Sequence, residues 1–414
     1  MSDEHEEEPP LPLATPNSPV VLVEDIADFH LALDDLLGAT GPLALDAERA
    51  SGFRYSSRAY LVQVFRTGAA NYLFDPIALG NLGELTTQLG DIEWILHAAH
   101  QDLACLREVG VDPQTLFDTE LGARLAGLPK VGLQGVVEDI LGLTLKKEHS
   151  AADWSTRPLP ADWLTYAALD VELLPRVRDE IARILDEAGK GELAREEFQA
   201  QLSLPPSAPR AEPWRRLSGL HSIRGARPLA IARELWLARE DLAQSTDRAP
   251  GRLVPDRSLV AAVLANPTTK SELASLKAFH GRASRSELSR WWEAIERGRT
   301  TEDLPATRTP ADGPPPPRVW AERNPEAAAR IDAARKALAV ISDRLTIPAE
   351  NLLTPDYLRR LCWEPPSPAT QDTIASFLRA RGAREWQIEL VAVALAEAFV
   401  GAHQSTTTEP ADGS

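Results

Sequence analysis

Apolar runs alternate with amphipathic segments between residue 20 and about residue 200, and this pattern constrains the fold of the chain most. The apolar runs are short and are bounded by turn-forming residues, which predicts strands at 42–48, 59–65, 70–75 and 93–98. Apolar residues at helical spacing predict helices at 26–38, 102–109, 119–127, 132–142 and 160–188. Pro175 is expected to kink the last of these. Strands that alternate with helices predict an α/β domain.

Composition divides the rest of the chain. The first residues are acidic and Pro-rich, the last are polar, and two later stretches show helical periodicity with few β-branched runs. Between those two stretches, four consecutive prolines at 314–317 favour an extended spacer. The predicted division is a disordered tail at 1–19, an α/β domain at 20–200, an all-α domain at 214–300, a linker at 301–318, a second all-α domain at 319–403 and a disordered tail at 404–414.

Charge is distributed unevenly along the chain. The 414 residues have a formal net charge of −17, and five acidic residues without any Lys or Arg lie within 1–19. Residues 213–300 instead contain 16 Lys and Arg against 9 Asp and Glu, which is a local charge of +7. A basic region in an acidic chain indicates a polyanionic partner, although a solvated helical surface would explain the same excess.

The cellular compartment is predicted from three features. The chain has two Cys residues, which form neither a disulfide framework nor a pair with metal-knuckle spacing. No apolar run approaches the roughly 20 residues that a bilayer crossing needs. The acidic N-terminus is the opposite of a signal peptide's basic opening. These features predict a cytoplasmic protein without a membrane partner.

Three short patterns place acidic side chains where they suit metal binding. An apolar run ends in Asp46-Ala47-Glu48, and alternation along a strand puts both carboxylates on one face. Asp102 follows a predicted strand and begins a helix, a position that helix capping would also explain. Tyr166 and Asp170 are four residues apart, so they share a helix face. Each pattern alone is common in proteins of any function.

The combination of four carboxylates and a tyrosine in this order is far more specific. Carboxylate ligands, rather than His or Cys, favour the hard cations Mg²⁺ and Mn²⁺. Two such cations, about 3.5–4 Å apart, stabilise both the attacking and the leaving oxygen of an in-line phosphoryl displacement. The sequence therefore predicts a two-cation site held by Asp46, Glu48, Asp102 and Asp170.

The order and context of these residues resemble the DEDD exonucleases of the Tyr subtype, specifically the ribonuclease D family. Three further segments carry the resemblance: Arg58–Val64, Phe117–Thr119 and Leu145–Leu159. The resemblance implies an RNase H-like domain with a mixed sheet flanked by helices. It also implies a 3′-5′ exoribonuclease that releases nucleoside 5′-monophosphates, as in tRNA or stable RNA 3′ processing.

The family resemblance also implies a role for each site residue. Asp46 would bridge the two cations, and Glu48 and Asp170 would complete the tighter site. Asp102 would hold the second cation through water. Tyr166 would orient the attacking water opposite the leaving 3′ oxygen.

Two positions depart from the family pattern, and one segment imitates it. Ala47 replaces the usual Thr, but its side chain points to the other face of the strand, so the ligand pair is kept. Arg49 stands where the family often has an apolar residue. Asp118-Thr119-Glu120 spells the family's usual first motif but follows Asp102, so capping of the next helix is the better explanation.

The two helical regions resemble nucleic-acid-binding modules. Residues 214–300 are similar to the helicase-and-RNase-D C-terminal (HRDC) domain through 235–243 and 254–259. Residues 319–403 are similar to the second, degenerate copy found in ribonuclease D. RNA is therefore the predicted partner of a chain expected to be monomeric. Within the segments that carry these resemblances, the predicted nucleic-acid contacts are Gln63, Lys147, Arg157, Arg239 and Arg257.

Two other functions remain open on the sequence alone. A DNA exonuclease would use the same active-site residues, and only the helical regions favour RNA. A catalytically silent nucleic-acid-binding protein is the third possibility, and the presence of all five site residues argues against it.

Overall fold

The structure is a computed structural model that describes residues 10–146, 149, 151–204, 210–308 and 313–407, with side chains described to residue 403. Its described part contains one six-stranded sheet and, outside it, helices and loops. The strands are β1 Val20–Val23, β2 Thr40–Arg49, β3 Ala59–Thr67, β4 Asn71–Phe74, β5 Trp94–Leu96 and β6 Leu116–Asp118.

The sheet is mixed, in the order β1-β4-β3-β2-β5-β6. β2 runs antiparallel to β3 and parallel to β5, so it lies in the middle of the sheet. Helices cover both faces, which explains why seven successive residues of β3, from Ala59 to Phe65, are buried rather than alternately exposed. The predicted α/β class and mixed sheet are confirmed. β1, a short strand at the sheet edge, was not predicted.

Nine helices of the described chain belong to this first domain. They are α1 Ile26–Gly38, α2 Pro76–Leu79, α3 Gly83–Leu89, α4 Leu103–Glu108, α5 Thr119–Ala126, α6 Leu133–Leu141, α7 Ala161–Glu172, α8 Leu174–Glu187 and α9 Gly191–Ser203. The predicted helix at 160–188 is divided at Leu173. Pro175 stands in the first turn of α8, where the helix offers no acceptor for a backbone N–H, so the missing N–H of proline costs nothing.

The described part of the N-terminal segment is packed onto the domain, which corrects the predicted tail from residue 10 onward, while residues 1–9 of that tail lie outside the described residues. Pro12 and Ala14 exchange main-chain hydrogen bonds of 2.9 Å with Thr144. Further along, the N–H groups of Asn17 and Ser18 donate to Glu172 at 2.8 and 3.2 Å. These contacts satisfy the main chain of a segment that has too few apolar residues to predict packing. Residues 12–18 are therefore part of the first domain.

Residues from 213 onward form two helical modules. The central module, 213–300, contains α10 Ala226–Thr246, α11 Pro250–Leu253, α12 Asp256–Ala265, α13 Lys270–Ser275, α14 Arg282–Ser286 and α15 Leu288–Thr300. The C-terminal module, 313–407, contains α16 Trp320–Arg323, α17 Pro325–Leu345, α18 Ala349–Leu352, α19 Pro355–Trp363, α20 Gln371–Arg379 and α21 Glu385–Thr407. None of the described helices combines the length and apolar character that a bilayer crossing requires.

Two predicted boundaries of the C-terminal region are wrong. The prolines at 314–317 pack on the C-terminal module, because the carbonyls of Pro314 and Pro315 accept hydrogen bonds from Arg359 and from the Trp320 indole at 2.8 and 2.7 Å. They are therefore not a free spacer. The predicted tail from 404 begins inside α21, which continues to Thr407.

Candidate active site

The central strand β2 positions the first two carboxylates. Asp46 stands opposite Gln63 of β3, and Glu48 stands opposite Leu61, so both acidic side chains are on the same face of the sheet. That face is covered by α7, which packs across β2, β3 and β4. The prediction that Asp46 and Glu48 place their carboxylates on one face of the strand is therefore confirmed.

Helix α7 brings the third carboxylate and the tyrosine onto this face. Tyr166 and Asp170 are one helical turn apart on α7, and burial together with the charges of Asp170 and Glu48 raises the pKa of the Tyr166 hydroxyl. The Tyr166 ring is packed near the rings of His149 and Trp154, at centroid distances of 5.8 and 6.4 Å. This packing restricts the phenol to the side of the cleft that holds the carboxylates.

Asp46, Glu48 and Asp170 form one cluster. Each offers a carboxylate oxygen, and these oxygens all lie within 4.8 Å of one another. Glu48 and Asp170 are buried, and Asp46 is partly buried. Three carboxylates at this spacing repel one another strongly unless protons or a cation neutralise them. An oxygen-rich, buried set of this kind fits a hard divalent cation.

The electrostatics of the cluster point to the same need for a counter-charge. Burial, and then the neighbouring Asp46 and Asp170, raise the pKa of Glu48 to about 10. Burial raises the pKa of Asp46, and burial together with Asp46 raises the pKa of Asp170 well above its ordinary value. Protons therefore occupy part of this cluster at neutral pH until a cation displaces them.

Asp102 lies beside the cluster rather than within it. Its carboxylate makes an ion pair with Arg49, at 3.2 Å between Nη2 and Oδ1. Burial and the nearby Asp46 raise the pKa of Asp102 to about 8. The side chain does not cap α4, so the capping explanation does not hold for this residue. Asp102 is close enough to interact with Asp46, but Arg49 is its direct partner in this structure.

The loop before Asp102 is held by Asp118. Its two carboxylate oxygens accept hydrogen bonds from the N–H groups of Ala98 and Ala99, both at 3.0 Å. Ala98 has a left-handed backbone conformation, with φ of 59°, which needs such support. Asp118 also caps α5 through Glu120 and Leu121, as predicted for this imitation of the first motif. It is a positioning residue for Asp102.

Three of the five predicted nucleic-acid contacts are wrong. Gln63 is completely buried beneath the sheet's covering helix. Arg239 is also buried, and its guanidinium is bound to Asp256 at 2.7 Å. Arg157 uses all of its guanidinium nitrogens on Asp75 and on main-chain carbonyls, including that of Tyr60. The two guanidinium groups are engaged by protein atoms, whereas the Gln63 amide is enclosed in the domain without a hydrogen-bond partner among the described residues.

The remaining two predictions stay open in different ways. Arg257 is exposed and keeps its predicted role as a proposal. Lys147 lies outside the described residues.

A pocket of about 490 Å³ opens beside the cluster and includes Tyr166 and Asp170 in its wall. Its other walls are mainly apolar and come from three separate segments, represented by Leu13, Leu133 and Leu145. The contribution of the N-terminal segment was not predicted. Glu172, which holds that segment, was missed as well, although an acidic residue two positions after Asp170 on a buried helix face is a usable signal.

Family models match three parts of the chain. Residues 20–186 match a model described as 3′-5′ exonuclease, and residues 229–295 match the HRDC domain. Residues 313–399 match a model described as 3′ to 5′ exonuclease C-terminal domain. The chain is 32% identical over 293 residues to ribonuclease D of Xanthomonas oryzae, covering 68% of this chain and 79% of that protein. The chain belongs to the ribonuclease D family.

Solved structures share the fold of the chain. A protein from Bifidobacterium adolescentis has a TM-score of 0.87 at 39% identity, covering 95% of this chain and 100% of that one. Escherichia coli RNase D has a TM-score of 0.65 at 24% identity over 93% and 98% of the two chains, which shows the shared fold. As a ribonuclease D family member, the chain is a hydrolytic 3′-5′ exoribonuclease that uses divalent metal ions.

Proposed function

We propose that this chain removes nucleoside 5′-monophosphates from RNA 3′ ends with two divalent cations, Mg²⁺ or Mn²⁺. The convergence of Asp46, Glu48 and Asp170 within 4.8 Å is the observation that carries the proposal. A pair of cations would activate the attacking water and neutralise charge on the reacting phosphate. Carboxylate ligands support Mg²⁺ or Mn²⁺ over softer metals.

Each site residue receives a role in this proposal. Asp46, Glu48 and Asp170 would hold the first cation, and Asp102 would contribute to the second. The Tyr166 hydroxyl, which shares the pocket wall with Asp170 one helical turn away, would orient the attacking water in line with the scissile bond.

We propose that the pocket beside the cluster receives the terminal nucleoside. Its volume of about 490 Å³ lies within the range of small-molecule sites. The apolar walls suit the faces of a base, and Tyr166 and Asp170 line the side where the scissile phosphate would lie. The pocket would then place the last phosphodiester bond of the RNA at the carboxylates.

The cellular context is also a proposal. The family includes E. coli RNase D, described as an exoribonuclease involved in structured RNA processing. We infer that this chain trims tRNA precursors or other stable RNAs in the cytoplasm, and that it acts as a monomer. We also retain the domain division of 20–200, 214–300 and 319–403 as functional units, adjusted for the packed segments at 12–18 and 314–317.

The central module would supply much of the grip on RNA. Seven of its arginines are exposed and make no ion pair with another described residue: Arg216, Arg224, Arg248, Arg252, Arg257, Arg282 and Arg285. Cationic side chains left unpaired on a surface are suited to phosphate contacts.

The proposal is tested with RNA and DNA oligonucleotides of the same sequence, labelled at the 5′ end and at the 3′-terminal nucleotide. We expect Mg²⁺- or Mn²⁺-dependent release of mononucleotides from the 3′ end of RNA, and none with EDTA. Asp46→Asn should lower the rate by about 10³-fold or more, and Tyr166→Phe by about 10²-fold. Asp179→Asn, at an exposed position on α8, is the matched control and should keep the rate.

The other outcomes of the same assay separate the alternatives. Faster release from DNA than from RNA would show that the chain is a DNA exonuclease. Binding of RNA without release under any metal condition would make the chain a silent binding protein.

A further inference from the structure

The strongest unexplained contact of the site is the ion pair between Arg49 and Asp102. Nη2 of Arg49 lies 3.2 Å from Oδ1 of Asp102. No described residue other than Arg49 makes a hydrogen bond or ion pair with this carboxylate. A buried acid with one cationic partner depends on that partner for its charge balance.

The end of β2 explains how Arg49 reaches Asp102. Regular alternation would point residue 49 to the face opposite Glu48. The pairing with β3 is irregular at this point, because Glu48 stands opposite Leu61 whereas Arg49 stands opposite Ala59. Such irregularities re-aim side chains, and here the guanidinium is directed to the end of the sheet where Asp102 lies.

The guanidinium and a second cation would compete for the same carboxylate. Arg49 carries a permanent positive charge, so it cannot give up its proton to make room for a divalent ion. Two positive charges within a few ångströms of one another repel in a partly buried site. The Arg49 side chain is 29% exposed and that of Asp102 is 9% exposed, so the arginine is the partner that can withdraw.

We propose that Arg49 is a built-in counter-ion of Asp102, which the second divalent cation has to displace. The inference rests on the proposed two-cation function. It deepens that function by assigning a role to Arg49, one of the two positions at which this chain departs from the family pattern. At the first cation's ligands, Asp46, Glu48 and Asp170, Arg49 makes no ion pair, so its charge competes less there, and the second cation binds more weakly than the carboxylates alone would allow.

Metal binding measured by titration calorimetry tests the proposal without any need for turnover. The titrant is Mn²⁺, and the protein is the full chain without RNA. Arg49→Gln removes the competing charge, and Arg49→Met is a second neutral substitution that keeps an apolar stem. Arg178→Gln is the matched control, since Arg178 is 28% exposed and pairs with Glu93 at 2.7 Å on the same domain. Asp102→Asn identifies the isotherm that belongs to the second cation.

We expect both neutral substitutions at Arg49 to strengthen the second Mn²⁺ site on the order of tenfold, with little change at the first. Arg178→Gln should match the unmodified protein, and Asp102→Asn should lose the second site. A second-site affinity within twofold of the unmodified protein in both Arg49 variants would overturn the inference while leaving the nuclease proposal standing. If the unmodified protein binds no Mn²⁺ at all, the two-cation proposal itself fails.

Discussion

The two helical modules share a local arrangement of helices and are attached to the nuclease domain in different ways. Each contains a 21-residue helix, α10 or α17, and a four-residue helix follows shortly after it. In each, the long helix ends at a residue with a left-handed backbone, Asp247 with φ of 44° or Thr346 with φ of 50°. Each of these two residues then contacts the nuclease domain. The same docking position is therefore used twice, on two different surfaces.

The central module contacts the nuclease domain through polar groups. Asp247 accepts hydrogen bonds from the Ser56 N–H at 3.0 Å and the Tyr60 hydroxyl at 3.2 Å. Arg252 lies over the ring of Phe53, 3.8 Å from its centroid. The hydrophobic core of the central module, which includes Trp291, is separate from that of the nuclease domain. The module is therefore an independently packed body that docks on residues 52–60, directly after the catalytic strand β2.

The C-terminal module instead shares its core with the nuclease domain. One continuous cluster of buried apolar residues includes Phe198 of α9 and Trp320 of the module. Polar contacts at the boundary add to it: Lys190 donates to Thr346 at 3.1 Å, and the Trp386 indole donates to Glu197 at 3.0 Å. A shared core predicts shared unfolding, whereas a polar contact predicts separable units.

The largest expected effect is that of removing the C-terminal module. A chain that ends at residue 308 would expose the nuclease side of the shared core, and we expect a loss of more than about 5 kcal/mol of stability. Calorimetry should show no cooperative transition for the nuclease domain, while that of the central module persists. An active, cooperatively folded truncated protein would contradict the shared core.

Two buried tryptophans make a matched pair for the next test. Trp291 of the central module and Trp320 of the C-terminal module are both completely buried. Each change to Ala should cost about 3–5 kcal/mol. In calorimetry, Trp291→Ala should lower the transition of the central module alone. Trp320→Ala should lower the transition in which nuclease activity is lost, and the comparison fails if both variants lower the same transition.

Metal binding should stabilise only the body that contains the cluster and the C-terminal module. Mg²⁺ at about 100 times its dissociation constant adds about 2.7 kcal/mol to the stability of the unit that binds it. Thermal unfolding with and without Mg²⁺ measures this shift, and the transition of the central module should not move. If Mg²⁺ raised the unfolding temperature of the central module as well, the proposed difference between the separate central module and the core-sharing C-terminal module would be contradicted.

The size of the metal effect should increase with pH. Glu48 and Asp102, with pKa values of about 10 and 8, hold protons at pH 6 that the cation must displace. The stability of the metal-free protein should change with pH in the opposite direction. Raised folded-state pKa values stabilise the fold at low pH, and this contribution is lost as pH rises toward those values. Melting at pH 6 and pH 8.5 checks both signs, and a larger Mg²⁺ shift at pH 6 would contradict the raised pKa values.

The polar docking of the central module should respond to a single substitution. Asp247→Asn keeps a residue that tolerates the left-handed backbone but removes the charge near Arg58 and weakens the bonds to Ser56 and Tyr60. We expect about 1–2 kcal/mol less docking energy and a few-fold lower activity on long RNA, with dinucleotide cleavage unchanged. Equal losses on both substrates would place Asp247 in the nuclease site instead.

The smallest effect is expected from one exposed arginine. Arg257→Gln should weaken RNA binding similarly for all sequences and reduce the slope of log affinity against log salt by about 0.7–1. Binding measured by anisotropy between 50 and 200 mM salt provides the slope. The control is Arg335→Gln, at an exposed position in the C-terminal module. Arg239 is unsuitable as a control because it is buried. An unchanged slope for Arg257→Gln would exclude it from the RNA contact surface.

The parts of the fold that were predicted correctly have local causes. The helix at 26–38 was placed to the residue, because Asp25 caps its start and its apolar residues recur at helical spacing. The break near Pro175 follows from the missing N–H of proline. β1 was missed, since a four-residue strand at a sheet edge is defined by its pairing with β4 rather than by its own sequence.

The sequence by itself determined which residues are proposed to carry the chemistry, because residue type, strand alternation and helical spacing are local properties of Asp46, Glu48, Tyr166 and Asp170. Only the tertiary structure decided that Gln63 is buried, that Arg49 pairs with Asp102 and that one helical module shares the nuclease core. Burial, ion pairing and core continuity depend on which distant segments meet, and no local pattern encodes that.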